Sequence, residues 1–301
     1  MNAVTGAYGY TGKYIARRLL AEGEQVITLT GHPGTPNEFG AKIRAYPFRF
    51  DSAEAMAKSL TGVRVLYNTY WIRFDRDDAT HERAVANTRV LIRAAEIAGV
   101  ERIVHISITN PSLESPLPYF RGKALLEAQI AQAKLSYAII RPTLVFGEED
   151  ILINNIAYLL RKMPLFFIAG SGRYRLQPVF ADDLARIAVE GGHSAANQVI
   201  DAVGPETFTL DELVRLIARA VNSSARILHV SPRLMLMAAY VLGKIFRDVL
   251  LTPDELEGLM SNLLVSQSAP TGASKLSAWL ENNAATIGSR YASEIGRHYT
   301  S

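Results

Sequence analysis

The sequence contains no cysteine, and this absence excludes disulfide bonds, thiolate catalysis and cysteine-ligated metal sites. No spacing of His, Asp and Glu typical of a metal site occurs either, so we expect no bound metal. A chain without cysteine is compatible with a reducing compartment, and we expect a cytoplasmic protein.

An excess of charge of one sign is also absent. The sequence has 32 Lys and Arg against 29 Asp and Glu, which gives a formal net charge of +3. Because no basic run with interleaved aromatic residues is present, we expect no nucleic-acid partner.

The chain lacks a hydrophobic run long enough to cross a membrane. No charged segment followed by an apolar one opens it, so we expect no signal peptide. The most apolar later stretch, residues 234–251, is interrupted by Lys244, Arg247 and Asp248 and is too short for a span. It favours a helix packed against the rest of the protein, and a helix lying on a membrane surface is the alternative.

Strand and helix patterns alternate along the first half of the 301 residues. Strands are predicted at residues 3–6, 25–30, 45–50, 63–69, 102–107 and 136–140, and helices at residues 12–22, 52–60, 81–98 and 119–134. This alternation indicates an α/β fold, a doubly wound parallel sheet of the Rossmann type with helices on both faces.

The pattern loosens in the second half. Thr209 with Glu212 predicts a capping box that opens a helix, and Thr252-Pro253 predicts the start of another that runs to about residue 265. We expect a sheet domain over residues 1–150 and a smaller, mostly helical substrate-side domain over residues 151–301, with residues 176–203 returning to the sheet domain.

Three glycines, Gly6, Gly9 and Gly12, follow the first predicted strand and open the first predicted helix. Gly6 permits a tight turn, Gly9 lets the backbone approach a ligand, and Gly12 lets the helix lie close to the sheet. The helix N-terminus adds unpaired N–H groups and the positive end of its dipole. The motif therefore predicts a site for a dinucleotide pyrophosphate.

The stretch TGAYGYTG resembles the TGxxGxxG motif of the extended and atypical short-chain dehydrogenase/reductase superfamily. The resemblance continues in SLTGVRVLYN, AGVERIVHIS, LSYAIIRPTLVFG, QPVFADDLARIAVEG and DAVGPETFTLDELVRLIARAV. It is nearest to the atypical branch that includes the NmrA-like regulators and a complex I accessory subunit. The resemblance implies that residues 1–150 bind NAD or NADP.

The resemblance also implies which residues contact the cofactor. The expected set is Gly6, Tyr8, Gly9, Tyr10, Thr11, Gly12, Thr30, Gly31, His32, Asp51, Asn68, Lys123, Pro142 and Val145. The second strand ends without the acidic residue that binds the ribose of NAD, and Lys13, Arg17 and His32 could supply positive charge, so NADP is slightly favoured over NAD. Asp51 is expected to contact adenine, to cap the following helix, or both.

The superfamily uses a Tyr-x-x-x-Lys pair, and this spacing occurs three times. Tyr119 with Lys123 follows the fifth predicted strand at the start of a helix, whereas Tyr158 with Lys162 and Tyr240 with Lys244 lie in the distal half. Position selects Tyr119 and Lys123, and the other two tyrosines are interpreted as packed aromatics beside a lysine.

On a helix Tyr119 and Lys123 share a face, and a nearby ammonium lowers the pKa of a phenol. Tyr119 could then exchange a proton with the substrate while hydride moves to or from the nicotinamide. The resemblance implies that Lys123 also holds the ribose and that a hydroxyl at the end of the fifth strand polarises the carbonyl. Thr109 is the first choice for that hydroxyl and Ser107 the alternative.

Aromatic residues follow the fourth predicted strand. Tyr70, Trp71 and Arg73 are interpreted either as substrate-pocket residues, since an arginine beside aromatics suits a planar or anionic substrate, or as ordinary packing between the sheet and the distal domain. The sequence leaves both interpretations open.

The function that these patterns favour is an NAD(P)-dependent oxidoreductase acting on an unidentified small molecule, in a chain that could form a homodimer. One alternative is a non-catalytic NAD(P)-binding redox sensor or assembly and scaffold protein. Another is a nucleotide-sugar epimerase or dehydratase, which the short link between Thr109 and Tyr119 makes less favoured.

Overall fold

The computed structural model describes residues 1–298, which form two compact units. The first unit combines Met1–Pro142 with Ala181–Ala202, and the second combines Thr143–Phe180 with residues 203–298.

The first unit is built around a seven-stranded sheet. Its elements are β1 (Asn2–Thr5), α1 (Tyr10–Ala21), β2 (Val26–Thr30), a 3₁₀ turn (Gly40–Lys42), β3 (Ile43–Pro47), α2 (Ala53–Ser59), β4 (Val65–Asn68), α3 (His81–Ala98), β5 (Arg102–Ile106), α4 (Pro118–Gln132), β6 (Ser136–Pro142), and, after an excursion, α6 (Ala181–His193) and β11 (Gln198–Ala202). The strand order is β11-β6-β5-β4-β1-β2-β3, and every pairing is parallel. The predicted doubly wound parallel sheet is confirmed.

Alternate residues of each strand face opposite layers of helices. Ala3, Ile27 and Ile103 point into a core shared with α2, α3 and α4. On the other face α6 lies so close to the sheet that a Cβ on Gly192 would stand 2.0 Å from the Tyr67 hydroxyl oxygen. Both faces are buried, as a parallel sheet requires.

Two predicted boundaries near β3 need correction. The strand covers Ile43–Pro47 rather than residues 45–50, because its register is set by pairing along β2 from Val26 to Thr30. The cap of α2 is Ser52, whose hydroxyl accepts from the Ala55 N–H. Asp51 is not the cap and pairs instead with Arg49 at 3.1 Å.

The second unit carries helices and short strand pairs. Its elements are β7 (Leu144–Phe146), α5 (Leu152–Lys162), β8 (Leu165–Ala169), β9 (Arg175–Leu176), β10 (Pro178–Phe180), β12 (Phe208–Thr209), α7 (Leu210–Ala220), β13 (Arg226–Val230), α8 (Pro232–Phe246), α9 (Pro253–Met260), α10 (Leu276–Asn282) and α11 (Glu294–His298). A core of its own joins α5, α7 and α10. The predicted capping box of Thr209 and Glu212 is present at α7, and Thr252 caps α9, which ends at Met260 rather than near residue 265.

The apolar stretch from residue 234 departs from its expected packing. Within α8 only Ala239 and Gly243 are fully buried, whereas Tyr240 is 65% and Ile245 68% exposed. The segment therefore packs as a helix on one face only, and its other face is exposed. Across residues 1–298, no helix combines the length and hydrophobicity that crossing a bilayer requires.

Candidate cofactor and active site

The glycine turn after β1 forms a tight cradle. Gly6 adopts φ +63°, and its carbonyl accepts from the Gly9 N–H at 2.8 Å. A Cβ on Gly12 would stand 2.2 Å from the Gly6 carbonyl oxygen, so only glycine lets α1 begin this close to the strand. No side chain caps α1 and its first turn carries no acidic residue, so this helix N-terminus fits an anionic pyrophosphate.

The segment after β2 carries the groups that bear on the choice between NAD and NADP. Thr30 is buried and accepts from the His32 N–H at 3.2 Å, while Gly31 and His32 are exposed. The Arg17 guanidinium pairs with both oxygens of Glu38, at 2.5 and 2.6 Å, and holds the pKa of that carboxyl below its usual value. Arg17 is thus engaged with a carboxylate.

The expected cofactor residues around this turn differ in their surroundings. Tyr8 contacts the Ile43 carbonyl at 3.4 Å, Tyr10 packs edge-on against Tyr14, and Thr11 is half-buried in the first turn of α1. Asp51 is exposed beside Arg49. Their contacts with a nucleotide stay predictions.

Asn68 joins the carboxyl ends of three neighbouring strands. Its side-chain oxygen accepts from the Thr5 hydroxyl at 3.2 Å and the Tyr70 N–H at 3.1 Å, and its amide nitrogen lies 3.0 Å from His105 Nδ1. All of these groups are buried or nearly so, and burial together with the charge of Lys123 holds the pKa of His105 well below its usual value. Asn68 therefore has a structural role in addition to the cofactor role expected of it.

Lys123 is buried on α4, with 2% of its surface exposed. Its ammonium donates to the Ile106 carbonyl at the end of β5, at 2.7 Å, and lies 4.6 Å from the centre of the Trp71 ring. Burial lowers its pKa to about 7, partly opposed by Glu127. Lys123 can thus gain or lose a proton near neutral pH.

Tyr119 lies one helical turn before Lys123, in an aromatic cluster. Its ring is edge-on to Trp71 at 5.7 Å and to His81 at 5.8 Å. His81 Nδ1 in turn stands 2.5 Å from the Asp75 carboxylate. The structure brings Tyr119, Lys123 and Trp71 together.

The two hydroxyl candidates on the end of β5 differ in what they contact. The Ser107 hydroxyl donates to Glu127 at 2.5 Å, and Glu127 also pairs with Arg141. Thr109 is fully buried, and its hydroxyl has no hydrogen-bond partner among residues 1–298. Of the two, Thr109 is the one whose hydroxyl is not already committed to a protein acceptor.

The remaining predicted residues are placed as follows. Tyr70 packs against Phe48 and Phe50, and its hydroxyl accepts from the Asn87 side chain. The Arg73 guanidinium lies over the Phe74 ring. The Pro142 carbonyl accepts from the Thr109 N–H, and Val145 lies in β7, in the second unit. Of the other Tyr-x-x-x-Lys pairs, Tyr158 is packed against Phe246 and Tyr291, whereas Tyr240 is exposed. The packed interpretation of Tyr240 is wrong.

The sequence reasoning missed Glu127, Arg141 and His105 as neighbours of this cluster. Glu127 stands four residues after Lys123, as Lys123 stands four after Tyr119, so one face of α4 carries all three. His105 and Ser107 are two residues apart in an extended segment, so they point to the same side of the sheet, the side on which Ser107 contacts Glu127 of α4. The repeated spacing of four residues from Tyr119 to Lys123 and from Lys123 to Glu127 is the sequence pattern that could have indicated Glu127.

Comparison with known proteins finds a family model and sequence relatives. Residues 6–153 match a family model described as NAD(P)H-binding. The chain is 27% identical over 228 residues to NADH dehydrogenase [ubiquinone] 1 alpha subcomplex subunit 9 of Arabidopsis thaliana, covering 71% of this chain and 56% of the relative. It is 23% identical over 245 residues to photosystem II assembly factor Ycf39 of Guillardia theta, covering 80% of this chain and 76% of that one. The chain thus spans little more than half the length of the first of these relatives.

Solved structures show the same fold. An NADPH-dependent quinone oxidoreductase from Escherichia coli, complexed with NADPH, aligns with TM-score 0.75 and 20% identity over 94% of this chain and 99% of that one. A triphenylmethane reductase from Citrobacter sp., complexed with NADP(H), aligns with TM-score 0.74 and 17% identity over 94% and 99%. The resemblance to the extended and atypical short-chain dehydrogenase/reductases is confirmed, and residues 6–153 match the NAD(P)H-binding family model.

Proposed function

We propose that this chain, with its NAD(P)H-binding domain, is an NAD(P)-dependent oxidoreductase in which Tyr119 and Lys123 carry the acid–base chemistry at a carbonyl or hydroxyl carbon. The observation that carries the proposal is the buried Lys123, held against the end of β5 with its pKa lowered to about 7. A lysine tuned by burial at the carboxyl edge of a parallel sheet is typical of a functional site.

The residues divide the work as follows. The Gly6–Gly12 turn and the N-terminus of α1 would hold the pyrophosphate of the dinucleotide, whose nicotinamide would supply or accept a hydride when bound. Tyr119 exchanges a proton with the substrate oxygen, Lys123 supports that exchange electrostatically and holds the ribose, and Thr109 hydrogen-bonds the same oxygen. Tyr70, Trp71 and Arg73 contact the substrate.

The experiment has two stages. Binding is tested by titration with NADH and with NADPH, monitored through the fluorescence of the nucleotide. If neither nucleotide binds, the cofactor assignment is overturned. Turnover is then measured on carbonyl substrates for the wild type and Tyr119→Phe. We expect the variant to keep nucleotide affinity while turnover falls by about a hundredfold or more. Tyr158→Phe, from a Tyr-x-x-x-Lys pair outside the first unit, is the matched control.

A non-catalytic NAD(P)-binding assembly protein is the second candidate. It is favoured by the sequence relatives, one of which is named as a dehydrogenase subunit and the other as an assembly factor. It is also favoured by the close contacts of Trp71 with Tyr119 and Lys123. Nucleotide binding without turnover in the wild type on a broad carbonyl and sugar-nucleotide panel would select this function. The cytoplasmic location and the homodimer stay predictions.

A further inference from the structure

Helix α8 has two apolar faces, and only one of them is covered. Its inner face packs through Ala239 and Gly243, which are buried, and through Phe246, which stacks on Tyr291 at 4.6 Å. Its outer face carries Leu234, Met237, Val241 and Ile245, which are 41%, 59%, 53% and 68% exposed. Their spacing of three, four and four places them on one stripe of the helix.

Positive charge accompanies this outer stripe. Arg233 and Lys244 are exposed and stand eleven residues apart, so they lie along one edge of it together with Tyr240. Arg247 follows at the end of the helix and is also exposed. None of these three basic residues forms an ion pair within the part of the chain that the structure describes.

Negative charge is scarce in the same region. Between Glu212 and Asp254 the sequence has six Lys and Arg and a single acidic residue, Asp248. Asp248 is buried, and its carboxylate accepts from the Tyr291 hydroxyl and from the Glu294 N–H. The exposed surface of α8 therefore carries apolar, tyrosine and basic side chains and no acidic one.

From this arrangement we propose that the outer face of α8 docks on an anionic lipid bilayer. An apolar stripe edged by basic and tyrosine side chains suits the membrane interface, where the stripe enters the acyl region while the cations reach the headgroups. At 15 residues the helix is about 22 Å long, so it lies in the interface rather than crossing it. None of these residues belongs to the proposed nucleotide site, and the inference goes beyond the proposed function.

A second copy of the chain fits the stripe less well. Antiparallel pairing of two α8 helices would bring Arg233 of one copy against Lys244 and Arg247 of the other, and parallel pairing would stack each cation on its equivalent. No exposed acidic residue of α8 is present to offset the repulsion. An anionic surface complements the same groups.

The test is cosedimentation of the whole chain with vesicles of phosphatidylcholine alone or with about 30% phosphatidylglycerol. We expect partitioning to anionic vesicles to exceed that to neutral ones by at least about tenfold and to fall as salt rises. Val241→Glu combined with Ile245→Glu should reduce binding to the neutral-vesicle level. Ile97→Glu, at a 42% exposed apolar position of α3, is the matched control and should bind like the wild type.

A second variant tests the same surface in case the first variant misfolds. Arg233→Gln with Lys244→Gln leaves the four residues of the apolar stripe unchanged and should lower binding to anionic vesicles only, with an unchanged melting temperature. The proposal is overturned if the wild type sediments with neither vesicle type or if the α8 variants bind as well as Ile97→Glu. It is also overturned if light scattering shows a concentration-dependent dimer that Val241→Glu with Ile245→Glu abolishes, without vesicle binding.

Discussion

The ammonium of Lys123 lies 4.6 Å from the centre of the Trp71 ring while it donates to the Ile106 carbonyl at 2.7 Å. The indole fits there because the next residue of α4 toward its N-terminus is Gly122, where a Cβ would stand 2.7 Å from the Trp71 ring. The charge state of Lys123 is thus coupled to an aromatic residue predicted to line the substrate pocket.

This coupling predicts a pH-dependent fluorescence signal from Trp71. Trp279 is the second tryptophan of the chain, so a Trp279→Phe variant leaves Trp71 as the single emitter. Because burial lowers the pKa of Lys123 to about 7, we expect Trp71 emission to titrate near that pH. Adding Lys123→Met should remove the transition, and an unchanged titration would contradict the coupling.

Lys123 also predicts how stability depends on pH. Its pKa is about 7 in the folded protein, against about 10.4 for a free lysine. Between these values the unfolded chain holds a proton that the folded chain lacks, so raising the pH stabilises the folded state. We expect the free energy of unfolding to rise across this window by at most about 1.4 kcal/mol per pH unit.

Denaturant unfolding at a series of pH values measures this contribution. Lys123→Met should flatten the rise, while Lys134→Met, at an exposed lysine, should leave it unchanged. A wild-type curve that is already flat above about pH 7 would show that Lys123 stays protonated in the fold.

Gly12 predicts a sharp loss of nucleotide binding. In Gly12→Ala the new Cβ would stand 2.2 Å from the Gly6 carbonyl oxygen and 2.7 Å from its carbon, so the backbone of the turn must move. We expect NADH and NADPH affinity to fall by about tenfold or more and the free energy of unfolding by about 1–3 kcal/mol. Gly34→Ala, where a Cβ meets nothing within 4 Å, is the control and should bind normally.

The pair of Arg17 and Glu38 predicts a way to shift cofactor preference. Glu38 accepts from the Nε and one terminal nitrogen of the Arg17 guanidinium, an edge that could otherwise contact a ribose phosphate. Glu38→Gln should therefore raise NADPH affinity relative to NADH, by about three- to tenfold. Glu54→Gln serves as the control, and equal effects on the two nucleotides would place Arg17 away from the ribose.

Tyr67 and Gly192 predict a measurable energetic coupling. The Tyr67 hydroxyl is buried without a hydrogen-bond partner among the described residues, and burial raises its pKa. Tyr67→Phe should therefore stabilise the protein by about 1 kcal/mol. Gly192→Ala should destabilise it by about 2–4 kcal/mol, because its Cβ would stand 2.0 Å from that hydroxyl.

The double variant measures the coupling. Removing the hydroxyl relieves the closest contact but leaves the Tyr67 ring carbon at 2.7 Å, so we expect partial recovery in chemical denaturation. Strictly additive effects would contradict the close approach of α6 to the sheet.

The sequence by itself determined the sheet, the glycine turn and the Tyr119–Lys123 spacing, because these depend on local periodicity and on backbone shapes that only glycine allows. Tertiary structure decided what local patterns do not encode. Burial of Lys123 lowers its pKa, Glu127 engages Ser107 rather than Thr109, and Glu38 engages Arg17. The composition of α8 could not reveal which of its two apolar faces would be covered, because coverage depends on what the rest of the chain packs against it.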